Sequence, residues 1–223
     1  MDGNRRWAKK RLMPAALGHV AGAKRVRSLV EACARFGIEH LTLFAFSTEN
    51  WRRPIEEVSV LMSLFASYLQ REVDAMEANG VRLKVVGDKT KFSSELQELI
   101  LRAELQTQHN EKITLRVAAN YGGRWDMVQA AKSWQLHNPG LDFASLTEEG
   151  LAAHLSTADA PEMDLLIRTG GESRISNFML WQAAYAEMFF IDVLWPDFSV
   201  KQFNEALEWF SKRDRRFGSA APF

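Results

Sequence analysis

Along this chain, short runs of apolar residues alternate with longer stretches in which apolar residues recur every three or four positions. The runs lie at 41–46 (LTLFAF), 81–87 (VRLKVVG), 113–119 (ITLRVAA), 164–168 (DLLIR) and 188–191 (MFFI). As short apolar runs, they fit strands buried on both faces. Between them the spacing predicts helices at 22–36, 55–79, 93–108, 124–134 and 177–185, with a last one at 200–213. Strands alternating with helices predict an α/β fold with a mostly parallel central sheet flanked by helices. The helix at 55–79 carries a stripe of Ile55, Val58, Leu61, Met62, Phe65, Leu69, Val73 and Met76. Ordinary core accounts for that stripe. Leu64, Ala66 and Tyr68 widen it beyond one face, as a helix that also lines an apolar cavity would require.

Composition narrows the function classes. The chain has 223 residues, 47% hydrophobic and 25% charged, as in an ordinary globular protein. Its 28 basic and 28 acidic side chains cancel, so nothing draws it as a whole to nucleic acid or an anionic membrane. Anion recognition must come from local clusters. The single cysteine, Cys33, cannot form an internal disulfide; it fits the core of a protein in a reducing cytosol. The opening MDGNRRWAKK is too polar for a signal peptide. The most apolar stretch, 178–195, contains Gln182, Glu187 and Asp192, so it reads as a buried helix and strand rather than a membrane span.

Three segments share a design in which a glycine turn leads into a helix, with a strand before it in two of them: MDGNRRW at 1–7, NYGGR at 120–124 and RTGGESRIS at 168–176. Glycine lets the backbone approach a ligand, and a helix start offers N–H groups to an anion. In parallel sheets such turns gather at the carboxyl edge, where ligands bind. Arg6, Arg168 and Arg174 fall in or beside these turns, and Ser176 is expected as an N-cap. One such arginine would read as a surface ion pair; several suit a diphosphate, which planar guanidinium forks hold well. Asp2 and Glu187 are candidate Mg2+ ligands, although spacing alone would equally allow a cap and a solvated side chain. His19 could be a core histidine or a phosphate donor. The patterns GxxxxGK[ST], GxGxxG and GxSxG are absent, and the five histidines show no paired zinc spacing.

With those residues in view, the chain resembles the cis-prenyltransferases, specifically the bacterial undecaprenyl diphosphate synthases. The resemblance rests on MDGNRRWA (1–8), GHVAGA (18–23), FAFSTENWRRP (44–54), AANYGGRWD (118–126), DLLIRTGGESRISNFMLWQ (164–182) and YAEMFFIDVLWPDF (185–198), in family order along nearly the whole chain. The DDxxD cluster of the all-helical trans-prenyl synthases is absent. The resemblance implies a single catalytic domain over 1–223 and a cytosolic homodimer with at most peripheral membrane contact. Farnesyl diphosphate would rest on Gly3, Asn4, Arg6, Trp7 and His19, with Arg27 nearby, and isopentenyl diphosphate on Arg168, Arg174 and Ser176. Asp2 would hold Mg2+, with Glu187 contributing to the metal or to the second site. Asn50 would act at the reacting groups, on a mobile segment with Ser47, Glu49, Trp51 and Arg53. The product would thread an apolar tunnel bordered by Ala45, the 55–79 helix and Ile113. A non-catalytic accessory subunit of such an enzyme, or an unrelated phosphate-handling α/β enzyme, are the alternatives.

Three departures qualify the resemblance. Family members carry an apolar strand directly before the MDGN motif, whereas this sequence opens at Met1; extending it by such a strand is expected to raise stability and turnover. Ala15 stands where many relatives have a basic residue, so a phosphate contact is lost there or supplied by a neighbour such as Arg11. Ser173 stands where some have histidine.

Overall fold

The computed structural model describes residues 1–215; the expected domain's last residues, 216–223, lie outside them. The chain forms two compact units. One comprises Met1–Leu29, Glu162–Ile175 and the residues from Leu180 on; the other comprises Val30–Pro161 and Ser176–Met179.

The second unit is built on three parallel strands, β1 (His40–Ser47), β2 (Val81–Val86) and β3 (Ile113–Tyr121), in the order β1-β3-β2. The most continuously apolar strand takes the centre: Ile113, Leu115, Ala118, Ala119 and Tyr121 of β3 are all buried. Helices α3 (Ile55–Ala78) and α4 (Ser94–Gln106) connect the strands, and both pack on β2. The outer edge of β2 is closed by side chains: Leu83 N–H donates to Thr107 Oγ1 (3.0 Å) and Val85 N–H to Glu104 Oε1 (2.7 Å). Its backbone donors are therefore not left as a template for another strand. α5 (Gly123–His137) follows β3, and a short α6 (Glu148–Ala152), absent from the sequence expectation, packs on it. Buried in this unit, the Cys33 thiol is pushed up to about 12 by burial, which suits a core side chain and not a nucleophile.

The other unit contains α1 (Asn4–Lys10), the first part of α2 (Ala15–Arg35), the parallel pair β4 (Leu165–Thr169) and β5 (Glu187–Ile191), and α7 (Val200–Phe210). α2 begins seven residues before the expected start at 22, so Gly18 and His19 lie inside the helix and not upstream of it. Glycine costs a helix up to about 1 kcal/mol against alanine. Packing reverses that preference here: a Cβ on Gly18 would sit 2.1 Å from the Asn4 carbonyl oxygen, and one on Gly22 would sit 2.2 Å from Asn4 Oδ1. The Trp195 indole N–H donates to the Gly22 carbonyl (2.9 Å) and closes this seat.

The helix expected at 177–185 does not form. Ser176, Asn177 and Met179 have φ of 49°, 63° and 42°, left-handed values through which a right-handed helix cannot run. The segment is a series of turns, so Ser176 caps no helix and the 168–176 turn leads into none. Among the described residues no helix is long and apolar enough to cross a membrane. Ile113, expected beside the apolar tunnel, is wholly buried in the ladder. Ala45, by contrast, sits exposed at a register irregularity between Phe44 and Phe46. Along α3 only Leu69 and Met76 are buried; the rest of its apolar stripe is half-buried or exposed.

Candidate active site

In the first unit, the chain's opening residues are pinned across the end of β4. Asp2 N–H donates to Thr169 Oγ1 (3.0 Å), Thr169 Oγ1 donates to the Asp2 carbonyl (2.9 Å), and Trp195 N–H donates to that same carbonyl (2.9 Å). Gly3 then turns the chain into α1 with φ of 105°; a side chain there would be strained and would meet Leu194 at 2.7 Å. The turn after β4 uses Gly170 and Gly171, with φ of 93° and 77°. A Cβ on Gly170 would lie 2.6 Å from the Arg6 guanidinium, so this glycine makes room for the cation.

These turns assemble a cluster of charge. The Asp2 carboxylate lies between two guanidiniums, at 3.0 Å from Arg168 and 3.3 Å from Arg6. Arg6 also faces Glu172 (3.9 Å), and Arg174 pairs with Glu172 (2.7 Å). Arg168 additionally donates to the Arg174 carbonyl. Burial alone would push Asp2 up, but the Arg168 hydrogen bond and the charges of Arg6 and Arg168 hold its carboxyl below the usual carboxylate range. Four of the residues singled out in sequence, Asp2, Arg6, Arg168 and Arg174, are thus brought together. Thr169 and Glu172, which organise them, went unremarked; each lies beside a glycine or arginine of the same motif.

Glu187 does not join this cluster within the chain. It opens β5 opposite Leu165, whereas Thr169, which carries Asp2, pairs with Ile191 at the other end of the ladder. Four residues of strand separate the two ends, roughly 13 Å. Among the described residues no group of three His, Cys, Asp or Glu side chains could hold a metal. Asp2 alone fits Mg2+, as the single carboxylate of a site completed by substrate phosphates and water. Trp7 is occupied: its indole N–H donates to Asp197 Oδ1 (2.7 Å), and the Arg11 guanidinium lies 4.1 Å over its ring. His19 and Arg27 share α2, eight residues apart, roughly 12 Å along its axis.

The second unit holds the 47–53 segment, a turn of 3-10 helix over Thr48–Arg52. Asn50 Oδ1 accepts from Ser47 N–H (3.1 Å), which closes the start of that turn. Trp51 donates to Asn120 Oδ1 (2.8 Å), Arg53 pairs with Glu57 (3.0 Å), and Glu49 accepts from Asn177 (2.8 Å). Here too burial alone would raise the Glu49 carboxyl, but hydrogen bonds, that of Asn177 first, hold it low. Three side chains expected to touch substrate therefore bind protein partners. Asn120 and Asn177 are both in the left-handed region; Asn120 opens the NYGGR segment, while Asn177 was not singled out as a site residue, and asparagine is the type that tolerates that conformation.

Known proteins match the chain throughout. A family model described as "Putative undecaprenyl diphosphate synthase" matches residues 1–218. A ditrans,polycis-undecaprenyl-diphosphate synthase of Pseudomonas aeruginosa, named as (2E,6E)-farnesyl-diphosphate specific, is 53% identical over 99% of this chain and 89% of its own length. Among solved structures, lavandulyl diphosphate synthase from Lavandula x intermedia, in complex with dimethylallyl diphosphate, superposes with a TM-score of 0.93 at 33% identity, covering 98% of this chain and 95% of its own. A probable undecaprenyl diphosphate synthase from Campylobacter jejuni does so with a TM-score of 0.80 at 35% identity, over 90% and 93%.

Proposed function

This chain belongs to the undecaprenyl diphosphate synthase family of prenyltransferases, and on that premise we propose that it condenses isopentenyl diphosphate in cis onto farnesyl diphosphate to make undecaprenyl diphosphate, the lipid carrier of cell-wall synthesis. The carrying observation is the Asp2 carboxylate set between the Arg6 and Arg168 guanidiniums at glycine turns. An incoming diphosphate offers those guanidiniums better acceptors than one carboxylate and frees Asp2 for Mg2+. Mg2+ bound there would neutralise charge on the departing diphosphate.

The carbon–oxygen bond of the allylic diphosphate breaks and leaves a delocalised cation. Arginines held by the β4 turn stabilise the departing charge more in the transition state than before it. The isopentenyl double bond attacks the cation, a carbon–carbon bond forms, and a proton leaves to a diphosphate oxygen, since an asparagine amide is too weak a base. Asn50 then orients the reacting group through its NH2. The half-buried apolar face of α3 and the exposed Ala45 supply a greasy surface for the growing chain, where each buried CH2 contributes about 0.8 kcal/mol. The whole chain acts as one catalytic domain and as a homodimer, which a single unfolding transition and sedimentation would check.

The test is elongation of farnesyl diphosphate by radiolabelled isopentenyl diphosphate with Mg2+, with product length read by mass spectrometry. A C55 product is expected. No incorporation, or release of inorganic phosphate from simple monoesters instead, would overturn the proposal.

A further inference from the structure

We propose that Asn177 is a positioning residue that holds the Asn50-bearing segment at the start of α5 and so sets the geometry in which isopentenyl diphosphate reacts. This rests on the function proposed above. The observation is a hub of hydrogen bonds within the second unit. The Asn177 carbonyl accepts from Gly123 N–H (2.7 Å) and its Oδ1 accepts from Arg124 N–H (3.0 Å), satisfying two of the donors that the first turn of α5 leaves open. Its Nδ2 donates to Glu49 Oε1 (2.8 Å). One residue thereby ties the 3-10 turn over Thr48–Arg52 to the N-terminus of α5.

The tie is built closely. Gly122 has no side chain where a Cβ would lie 2.7 Å from Asn177 Nδ2 and 2.8 Å from Thr48 Oγ1. Asn177 itself has φ of 63°, a conformation asparagine tolerates better than most residues. Its neighbour Phe178 is anchored to the sheet by stacking on Phe44, with ring centroids 4.6 Å apart, so the hub cannot drift. Glu49 immediately precedes Asn50, whose Oδ1 in turn bonds back to Ser47. Releasing Glu49 leaves this turn held mainly by Trp51 on Asn120. On the other side, Asn177 follows Ser176 directly, the residue that the resemblance assigns to isopentenyl diphosphate. A change at Asn177 should therefore be felt by that substrate and by kcat. The farnesyl diphosphate residues Gly3 and Arg6, with the metal candidate Asp2, belong to the other unit and keep their own supports.

Asn177→Asp is the informative substitution. Aspartate accepts the left-handed φ and still accepts from Arg124 N–H, but it cannot donate to Glu49 and sets a second carboxylate against it. Adding Glu49→Gln restores the bond with its polarity reversed, since a glutamine amide can donate to the carboxylate introduced at position 177. Losing one hydrogen bond to a charged group and gaining a like charge should lower kcat/KM for isopentenyl diphosphate about 10- to 100-fold. KM for farnesyl diphosphate should stay within about twofold, and Glu49→Gln in the Asn177→Asp background should recover most of the loss. Hydrogen exchange of 47–52 in the protein without substrate should rise in Asn177→Asp and return in the double variant. This readout needs no turnover: a wild-type protein that fails to elongate would sink the proposed function and leave the hub testable. Unchanged exchange at 47–52, absence of rescue by Glu49→Gln, or an equal loss in both KM values and kcat with a lower melting temperature would each overturn the assignment.

Discussion

Gly18→Ala offers a sharp test of how the charge cluster is held. The added Cβ would land 2.1 Å from the Asn4 carbonyl oxygen, 2.9 Å from its carbonyl carbon and 3.2 Å from Ala8 Cβ. The obstacle is backbone, so no side chain can swing away; α1 must move by about 1 Å to restore an ordinary contact. Two effects oppose each other. Replacing a glycine inside α2 gains up to about 1 kcal/mol of helix propensity. Overpacking costs about 1–3 kcal/mol, and a rigid backbone contact lies at the upper end. The net is a loss of about 2 kcal/mol, or a melting temperature lower by about 4–8 °C for a chain of this size. Activity should fall further than stability, because α1 carries Arg6 and begins two residues after Asp2. A displacement of about 1 Å at a positioned group costs on the order of 100-fold. The assays are thermal unfolding by circular dichroism and initial elongation rates well below the melting temperature. Gly140→Ala is the control: nothing lies within 4 Å of its Cβ and its φ is not left-handed. It should be neutral or stabilising by less than about 1 kcal/mol. If Gly18→Ala melts like wild type and keeps full activity, α1 is not seated on α2 as described.

Other consequences can be checked separately. Asp2→Asn should lower elongation by at least about 100-fold and weaken its dependence on Mg2+ while the fold persists; retained Mg2+ dependence would remove Asp2 as the metal ligand. Asp159 binds the buried Arg116 (2.9 Å) and also pairs with Lys84. Asp159→Ala should cost about 2 kcal/mol, less than for a fully buried pair because Asp159 is 44% exposed; chemical denaturation measures it, and an unchanged midpoint would refute the role. His40 Nδ1 lies 2.8 Å from the Arg116 guanidinium, and burial, followed by the Arg116 charge, holds its pKa below 6.5. The unfolded chain thus binds that proton more readily, so stability should decline as pH drops below about 6.5 and level off under the lowered folded value. Asp2 and Asp159, held below 3.8, lose their contribution only at lower pH, which keeps the windows apart. His40→Asn, whose amide can still accept from Arg116, should flatten the melting temperature between pH 7 and 5; an unchanged slope would exclude His40.

Much of this architecture is legible in the order of residues because it depends on local periodicity. Short apolar runs placed all five strands to within a residue or two, and 3.6-residue spacing placed α3, α4, α5 and α7. Glycine turns followed by arginines marked the charge cluster, since a turn and its flanking charges are neighbours in sequence. Misreadings arose where distant residues decide. The start of α2 depends on Asn4 and Trp195 filling the space over two glycines, and no local propensity reports that. The turns at 176–185 depend on left-handed residues that hold Glu49 and the start of α5 from far along the chain. Composition and pattern alone thus determined the α/β class and the chemical character of the charge cluster. Tertiary packing alone decided which carboxylate meets which arginine. It placed Asp2 between Arg6 and Arg168 and left Glu187 at the far end of its strand, because strand register, and not spacing along the chain, sets those distances.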